Sequence, residues 1–179
     1  MSINQLPLVY DKCRTTLEKT SEDDDGACLL SSQLEVYNFD EVKKRFQQYH
    51  DFPGGKEVSS CDTLYIHEKK DVEFYLVEFK NSPLSNLQGK KNIIREKLSG
   101  SLLILTDIRK IGISKTKNVA YFILVYKDAK DLKEKIANEV FLRKLSFEKY
   151  ENIYYKQCLI LSTKEFQKKF VDQWENKND

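Results

Sequence analysis

An α/β fold, with a mixed central β-sheet flanked by helices, is predicted by three features of the chain. Two arms, Cys61–Ile66 and Glu73–Lys80, are rich in β-branched and aromatic residues and read as the strands of a hairpin. Val119–Tyr126 is a near-continuous apolar run, the pattern of a strand buried on both faces. Between and around them lie stretches with apolar residues at helical spacing, so helices alternate with strands along the chain. At 179 residues the chain is expected to form one domain with a substantial core, with residues 1–37 as a lead-in, 38–126 as the main body and 127–179 as a C-terminal strand and helices.

The lead-in carries few signals. Leu6, Val9, Cys13 and Leu17 could form a short helical stripe behind Pro7, and Glu22-Asp23-Asp24-Asp25-Gly26 reads as a solvated acidic turn. That run does not alternate its carboxylates as an EF-hand calcium loop does. Ala27–Val36 reads as a strand or an extended approach to one. Asn38-Phe39-Asp40-Glu41 has the form of a helix start, Asn38 capping and Glu41 three residues on. Val42, Phe46 and Tyr49 then give an amphipathic helix over about 39–50. Asp51–Lys56, with Pro53-Gly54-Gly55, is the clearest turn in the chain and connects this helix to the hairpin.

Register decides what the hairpin does. Pairing residue 68 with 72 leaves a three-residue loop at 69–71 and sets Asp62 directly opposite Glu78. Asp62, Leu64 and Ile66 then share one face, as do Phe74, Leu76, Glu78 and Lys80. Opposed carboxylates destabilise a strand pair, and on an otherwise apolar face both cannot ionise at low cost. A divalent cation relieves that cost, and magnesium is commonly held by one or two carboxylates with substrate phosphate completing its shell. His67, beside the hairpin turn, reads as an exposed structural histidine.

Asp62 followed by Glu78-Phe79-Lys80 on the next strand resembles the D…(D/E)-x-K signature of the PD-(D/E)XK nuclease superfamily. Cys61 stands where that family usually has a proline. The resemblance implies a restriction-endonuclease-like core and a metal-dependent nuclease, with DNA rather than RNA as the default substrate and Mg2+ (or Mn2+) as cofactor. It implies that Asp62 and Glu78 bind the metal, that Phe79 lends a backbone carbonyl, and that Lys80 orients or activates the attacking water. It also implies an acid from the preceding helix, for which Glu41 and Glu35 are the candidates. The same fold can serve instead as a non-catalytic module, such as an immunity or antitoxin protein. Asp62, Glu78 and Lys80 would then form a buried salt-bridge cluster; a protein partner or a homodimer is compatible with either reading.

After Asn81-Ser82-Pro83 the helical pattern resumes from about Asn86 to Asp107, with Ile94, Leu98, Leu102 and Leu105 on one side and Gly100 marking close packing on the sheet. Lys90 and Lys97 lie on its flank, and Lys115 and Lys117 lie in a basic loop at 110–117. All four are candidates for contact with nucleic-acid phosphates. Asp128–Val140 reads as a helix with a Leu132, Ile136, Val140 stripe. Tyr154–Leu161 reads as a strand. Ser162-Thr163-Lys164-Glu165 is a capping box opening a last helix, along which Phe166, Phe170 and Trp174 recur at core spacing.

Thirty basic against 28 acidic residues leave a net charge of +2, so no strongly basic field announces nucleic acid. Four scattered cysteines without a C-x-x-C pair do not form a zinc or disulfide pattern. No apolar run reaches membrane-spanning length and the N-terminus has no signal-peptide pattern, so the expectation is a cytoplasmic protein without membrane contact.

Overall fold

The computed structural model describes residues 6–50, 57–68, 72–145 and 147–176. Strands β1 (Arg14–Thr16), β2 (Glu35–Asn38), β3 (Thr63–Glu68), β4 (Val72–Lys80), β5 (Ala120–Tyr126) and β6 (Gln157–Ser162) form one six-stranded sheet in sequence order. β1 to β4 pair antiparallel, with α1 between β1 and β2, α2 between β2 and β3, and a short hairpin joining β3 to β4. β4, β5 and β6 pair parallel, because each joint is a crossover through helices. The chain is therefore α/β, with a mixed sheet flanked by helices.

The helices cover both faces. α2 (Phe39–His50), the long α3 (Lys91–Arg109) and a 3-10 turn at Leu84–Leu87 lie on the face that carries Leu64, Phe74, Leu76, Phe122 and Leu124. The other face, with Tyr65, Tyr75, Val77, Phe79, Ile123 and Val125, packs on α1 (Leu17–Thr20) and the C-terminal helix. That helix runs through α6 (Thr163–Phe166), a π-helical turn (Gln167–Val171) and α7 (Asp172–Glu175). Its capping box closes reciprocally between Ser162 and Glu165, and Phe166 and Trp174 are core residues. β4 is buried along both faces from Glu73 to Phe79, so it is the centre of the domain.

Several local expectations change. Leu8–Cys13 is a 3-10 helix with Val9 exposed, and Arg14–Thr16 is an edge strand. Residues 113–119 form α4 (Ile113–Val119) rather than an open basic loop. His67 is buried, with its Nδ1 3.2 Å from the Tyr65 hydroxyl, rather than exposed at the turn. α5 (Leu132–Leu142) forms where expected, but Leu132, Ile136 and Val140 face outward. The turn at 51–56 and the hairpin loop at 69–71 lie outside the described residues.

Gly100 packs on the chain before β3 rather than on the sheet. A Cβ there would lie 2.0 Å from the Ser59 carbonyl oxygen and 2.8 Å from a Val58 methyl. The neighbouring Ser101 hydroxyl accepts the Cys61 amide at 2.8 Å. Together these two α3 residues dock the segment 58–61 that delivers Asp62.

Candidate functional site

The hairpin register is Glu68 with Val72 through Thr63 with Val77, and its continuation sets Asp62 beside Glu78. Regular pairing stops one residue short of Asp62, and its side chain takes over from the ladder. The Asp62 amide donates to the Val77 carbonyl at 3.1 Å, and the Asp62 carbonyl accepts the Phe39 amide at 2.9 Å. One carboxylate oxygen, Oδ2, accepts the Phe79 amide at 2.6 Å. The Asp62 backbone is thereby tied to β4 and to the start of α2, and its carboxylate is held at the end of β4.

Glu78 is fully buried on the α3 face, while Asp62 keeps 22% of its side chain accessible. Lys97 reaches from α3 into the space between them. Its Nζ lies 2.8 and 2.9 Å from the two Glu78 oxygens and 3.3 Å from Asp62 Oδ1. Lys80 also pairs with Glu78, through Oε1. Four charges, two of each sign, therefore meet at the carboxyl end of β4.

Burial pushes the Glu78 carboxyl up to about 7, with the Asp62 charge adding to the rise and the two ammoniums opposing it. Burial also raises Asp62, against Lys97 and Lys80. Burial alone would lower Lys97, but the adjoining Glu78 and Asp62 carboxylates outweigh it and hold the ammonium above its ordinary value. The Cys61 thiol is pushed well up by burial, so it is a poor nucleophile.

Asp62, Phe79, Lys80 and Lys97 form part of the wall of a cavity of about 460 Å³. The rest comes from elements whose contribution the sequence did not announce. Asn38 and Asp40 enter from the β2–α2 junction, Asn81 from the end of β4, and Lys19 to Asp24 from α1 and the acidic turn. The turn is held against the site, since the Asn81 side-chain amide donates to Asp23. The acidic run is a turn with Glu22 and Asp24 exposed, as expected, and its Glu22, Asp23 and Asp24 also border the cavity.

Asp40, not Glu41 or Glu35, is the acid that α2 turns toward the cavity. It accepts the Ser60 hydroxyl at 2.7 Å. Glu41 performs the start-of-helix role, its amide donating to Asn38 Oδ1 at 3.1 Å, and its carboxylate pairs outward with Lys44 at 2.6 Å. Glu35 pairs with Arg14 at the sheet edge. A helix advances about 100° per residue, so a one-residue difference decides which acid faces in.

The expected phosphate contacts divide. Lys97 lies inside the carboxylate cluster rather than on a free helix flank. Lys90 is exposed at the start of α3, two turns before it, and does not line the cavity. Lys115 and Lys117 are exposed on α4, which enters β5 at Ala120, the partner of Phe74, whereas Glu78 pairs with Leu124. Those four strand positions put Lys115 and Lys117 about 13 Å or more from the site along the sheet.

The donors offered to a cation are all oxygens: the Asp62 and Glu78 carboxylates, with Asp40 nearby and backbone carbonyls at the strand end. That set suits a hard ion such as magnesium. Among the described residues, no three His, Cys, Asp or Glu side chains are gathered closely enough to hold a metal by themselves. The protein would supply two carboxylates and leave the remaining positions to backbone, water and substrate, which is how magnesium is commonly held. Compared with family models, curated proteins and solved structures, the chain matches none. Among the described residues, no helix is long and apolar enough to cross a membrane.

Proposed function

We propose that this chain is a magnesium-dependent phosphodiesterase that hydrolyses nucleic acid, DNA in the first instance, with manganese able to replace magnesium. The observation that carries this reading is a pair of like-charged side chains set side by side at the end of β4: Asp62, partly accessible in the wall of an open cavity, and Glu78, fully buried behind that wall. Such an arrangement opposes stability and is characteristic of functional sites. It also agrees with the resemblance of Asp62…Glu78-Phe79-Lys80 to the PD-(D/E)XK nucleases and their restriction-endonuclease-like core.

Asp62 and Glu78 would hold the cation, with the Phe79 carbonyl as a further donor. When bound, the cation polarises the scissile phosphate and lowers the pKa of water. Lys80, at the cavity wall beside Glu78, is placed to orient the attacking water and to oppose negative charge gathering at phosphorus. Lys97, which lines the cavity and pairs with both carboxylates, would be free to contact a phosphate were a cation to take over those carboxylates. Asp40 and Asn38 border the same space and would orient water at its rim.

Calorimetric titration with Mg2+ and Mn2+, paired with cleavage assays on single- and double-stranded DNA and on RNA, tests this. Asp62→Ala and Lys80→Ala should each abolish metal-dependent cleavage while circular dichroism shows an intact fold. Cleavage persisting in both variants would overturn the assignment.

One observation favours a second reading. With Lys97 bridging both carboxylates and Lys80 on Glu78, the cluster is already neutral. A non-catalytic interaction module of the immunity or antitoxin kind would keep it as an internal ion-pair network. That reading expects no heat of metal binding and no cleavage of any nucleic acid.

A further inference from the structure

Helix α5 is amphipathic in the wrong sense for its place in the fold. Its inward side carries the buried amide of Asn138, which accepts the Ser85 backbone amide at 3.0 Å, and Phe141. Its outward side carries Leu132, Ile136 and Val140, which are 72%, 53% and 50% exposed. These recur at i, i+4 and i+8, a continuous apolar stripe of two turns. A contiguous exposed stripe on a helix is the mark of an interaction surface, whereas single exposed apolar residues are ordinary.

The surface does not end with the helix. Beyond its C-terminus a groove of about 310 Å³ is lined by Leu142, Leu145, Phe147, Leu159 and Ile160, reaching the edge strand β6. Leu142, two residues past Val140, opens that groove, so stripe and groove adjoin at the end of the helix and form one tract, with Arg143, Glu148 and Glu151 on the groove's polar side.

We propose that this tract is the interface of a twofold homodimer in which α5 packs antiparallel against α5 of a second copy. The inference is independent of the reading of the carboxylate cavity. The stripe is symmetric about Ile136. A dyad there sets Ile136 on Ile136 of the partner subunit and Leu132 on Val140 of the partner subunit. An isologous contact of this kind requires self-complementarity, which the flanking charges supply. In an antiparallel pair the same flank of each helix meets itself. Lys135 and Glu139 lie together on one flank, one turn apart and both exposed. The dyad therefore sets Lys135 beside Glu139 of the partner subunit, twice over. The N-terminal end of each α5, with Leu132, is carried toward the other subunit's groove at Leu142.

Sedimentation equilibrium or light scattering on the full chain, over about a hundredfold range of concentration, reads the outcome. The wild type should be a dimer that dissociates on dilution. Ile136→Glu sets two carboxylates on the dyad and should leave a monomer with unchanged circular dichroism, whose melting temperature no longer rises with protein concentration. Lys135→Glu and Glu139→Lys should each raise the dissociation constant about tenfold or more, and the double exchange should restore it. A wild type that is monomeric throughout overturns the proposal, as does a dimer indifferent to Ile136→Glu. Failure of the double exchange to restore affinity overturns the antiparallel arrangement.

Discussion

Strand β4 carries two glutamates that meet opposite fates five residues apart. Glu73 lies on the face covered by the C-terminal helix. It accepts the Tyr75 hydroxyl at 2.8 Å on one oxygen, and the Tyr121 hydroxyl at 2.8 Å and the Lys156 ammonium at 2.9 Å on the other. Burial would raise its pKa, but these donors outweigh burial and bring the carboxyl down to about 2. Glu78 lies on the α3 face and is more deeply buried. It too has cationic neighbours, yet it also has Asp62 beside it, and its pKa rises to about 7. The difference is one of company. A carboxylate surrounded only by donors reinforces the fold, whereas one set against a second carboxylate is held there at a cost to the fold. Retaining the second kind makes physical sense where something that enters the cavity relieves it.

Isosteric substitution separates the two most sharply. Glu78→Gln should reduce metal-dependent cleavage by at least about 100-fold, because a neutral amide is a poor ligand for a hard cation. It should leave the metal-free protein at least as stable at pH 8, where the wild type carries two adjoining carboxylates. Glu73→Gln should do the reverse. Cleavage continues, and stability to urea falls by about 1–3 kcal/mol, because an amide nitrogen cannot accept from the tyrosines or Lys156. Cleavage lost in Glu73→Gln while the fold holds would place chemistry at the wrong end of the strand.

Next in size is the support of Asp62. An exposed helical Gly→Ala change ordinarily stabilises by about 1 kcal/mol. Gly100→Ala should instead destabilise by about 1–3 kcal/mol, since the new methyl would overlap a backbone oxygen that cannot swing aside. Because Ser59 lies three residues before Asp62, cleavage should fall further than stability does. Chemical denaturation read beside turnover checks both. A variant as stable and active as wild type would show that α3 does not position this segment.

How much of this was legible beforehand follows from the range of the forces involved. The hairpin register could be read because one slip turns Leu64, Ile66, Phe74 and Leu76 away from the core, and Asp62 and Glu78 travel with them. The start of α2 was legible because Asn38 caps it locally, and the last helix because Ser162 and Glu165 cap each other. Lys97 between the carboxylates was not legible. Its position depends on how α3 crosses the sheet, which periodicity does not contain. Asp40 and Glu41 are not separable from the sequence, because the entry angle of α2 decides which of the two neighbours faces the cavity. The acidic turn joins the cavity through one long-range contact, Asn81 to Asp23, that no local pattern encodes. β1 is three residues long, too short for alternation to register. The outward stripe of α5 was spaced as a core stripe is, and spacing does not say what a stripe packs against.

The effect spread most thinly, at no more than about 1.4 kcal/mol per pH unit, is the most diagnostic, because the two glutamates should tilt the stability profile in opposite directions. Glu73 has a folded pKa near 2 against 4.5 ordinarily. Between those values the unfolded chain binds more protons, so stability rises with pH there, and the contribution is lost as pH falls toward 2. Glu78 has a folded pKa near 7 against the same 4.5. Across that window the folded protein binds more protons, so raising the pH from about 4.5 to 7 favours unfolding. Either slope is bounded by one proton, about 1.4 kcal/mol per pH unit. Urea midpoints measured in chelator from pH 3 upward should therefore climb, level off and then sag before neutrality. Glu73→Gln should flatten the acid limb alone, and Glu78→Gln the upper limb alone. Saturating magnesium should also abolish the upper sag, because a bound cation stabilises the charged Glu78 that the metal-free fold disfavours. An upper limb that magnesium leaves unchanged would mean that the Glu78 carboxylate answers only to its lysines.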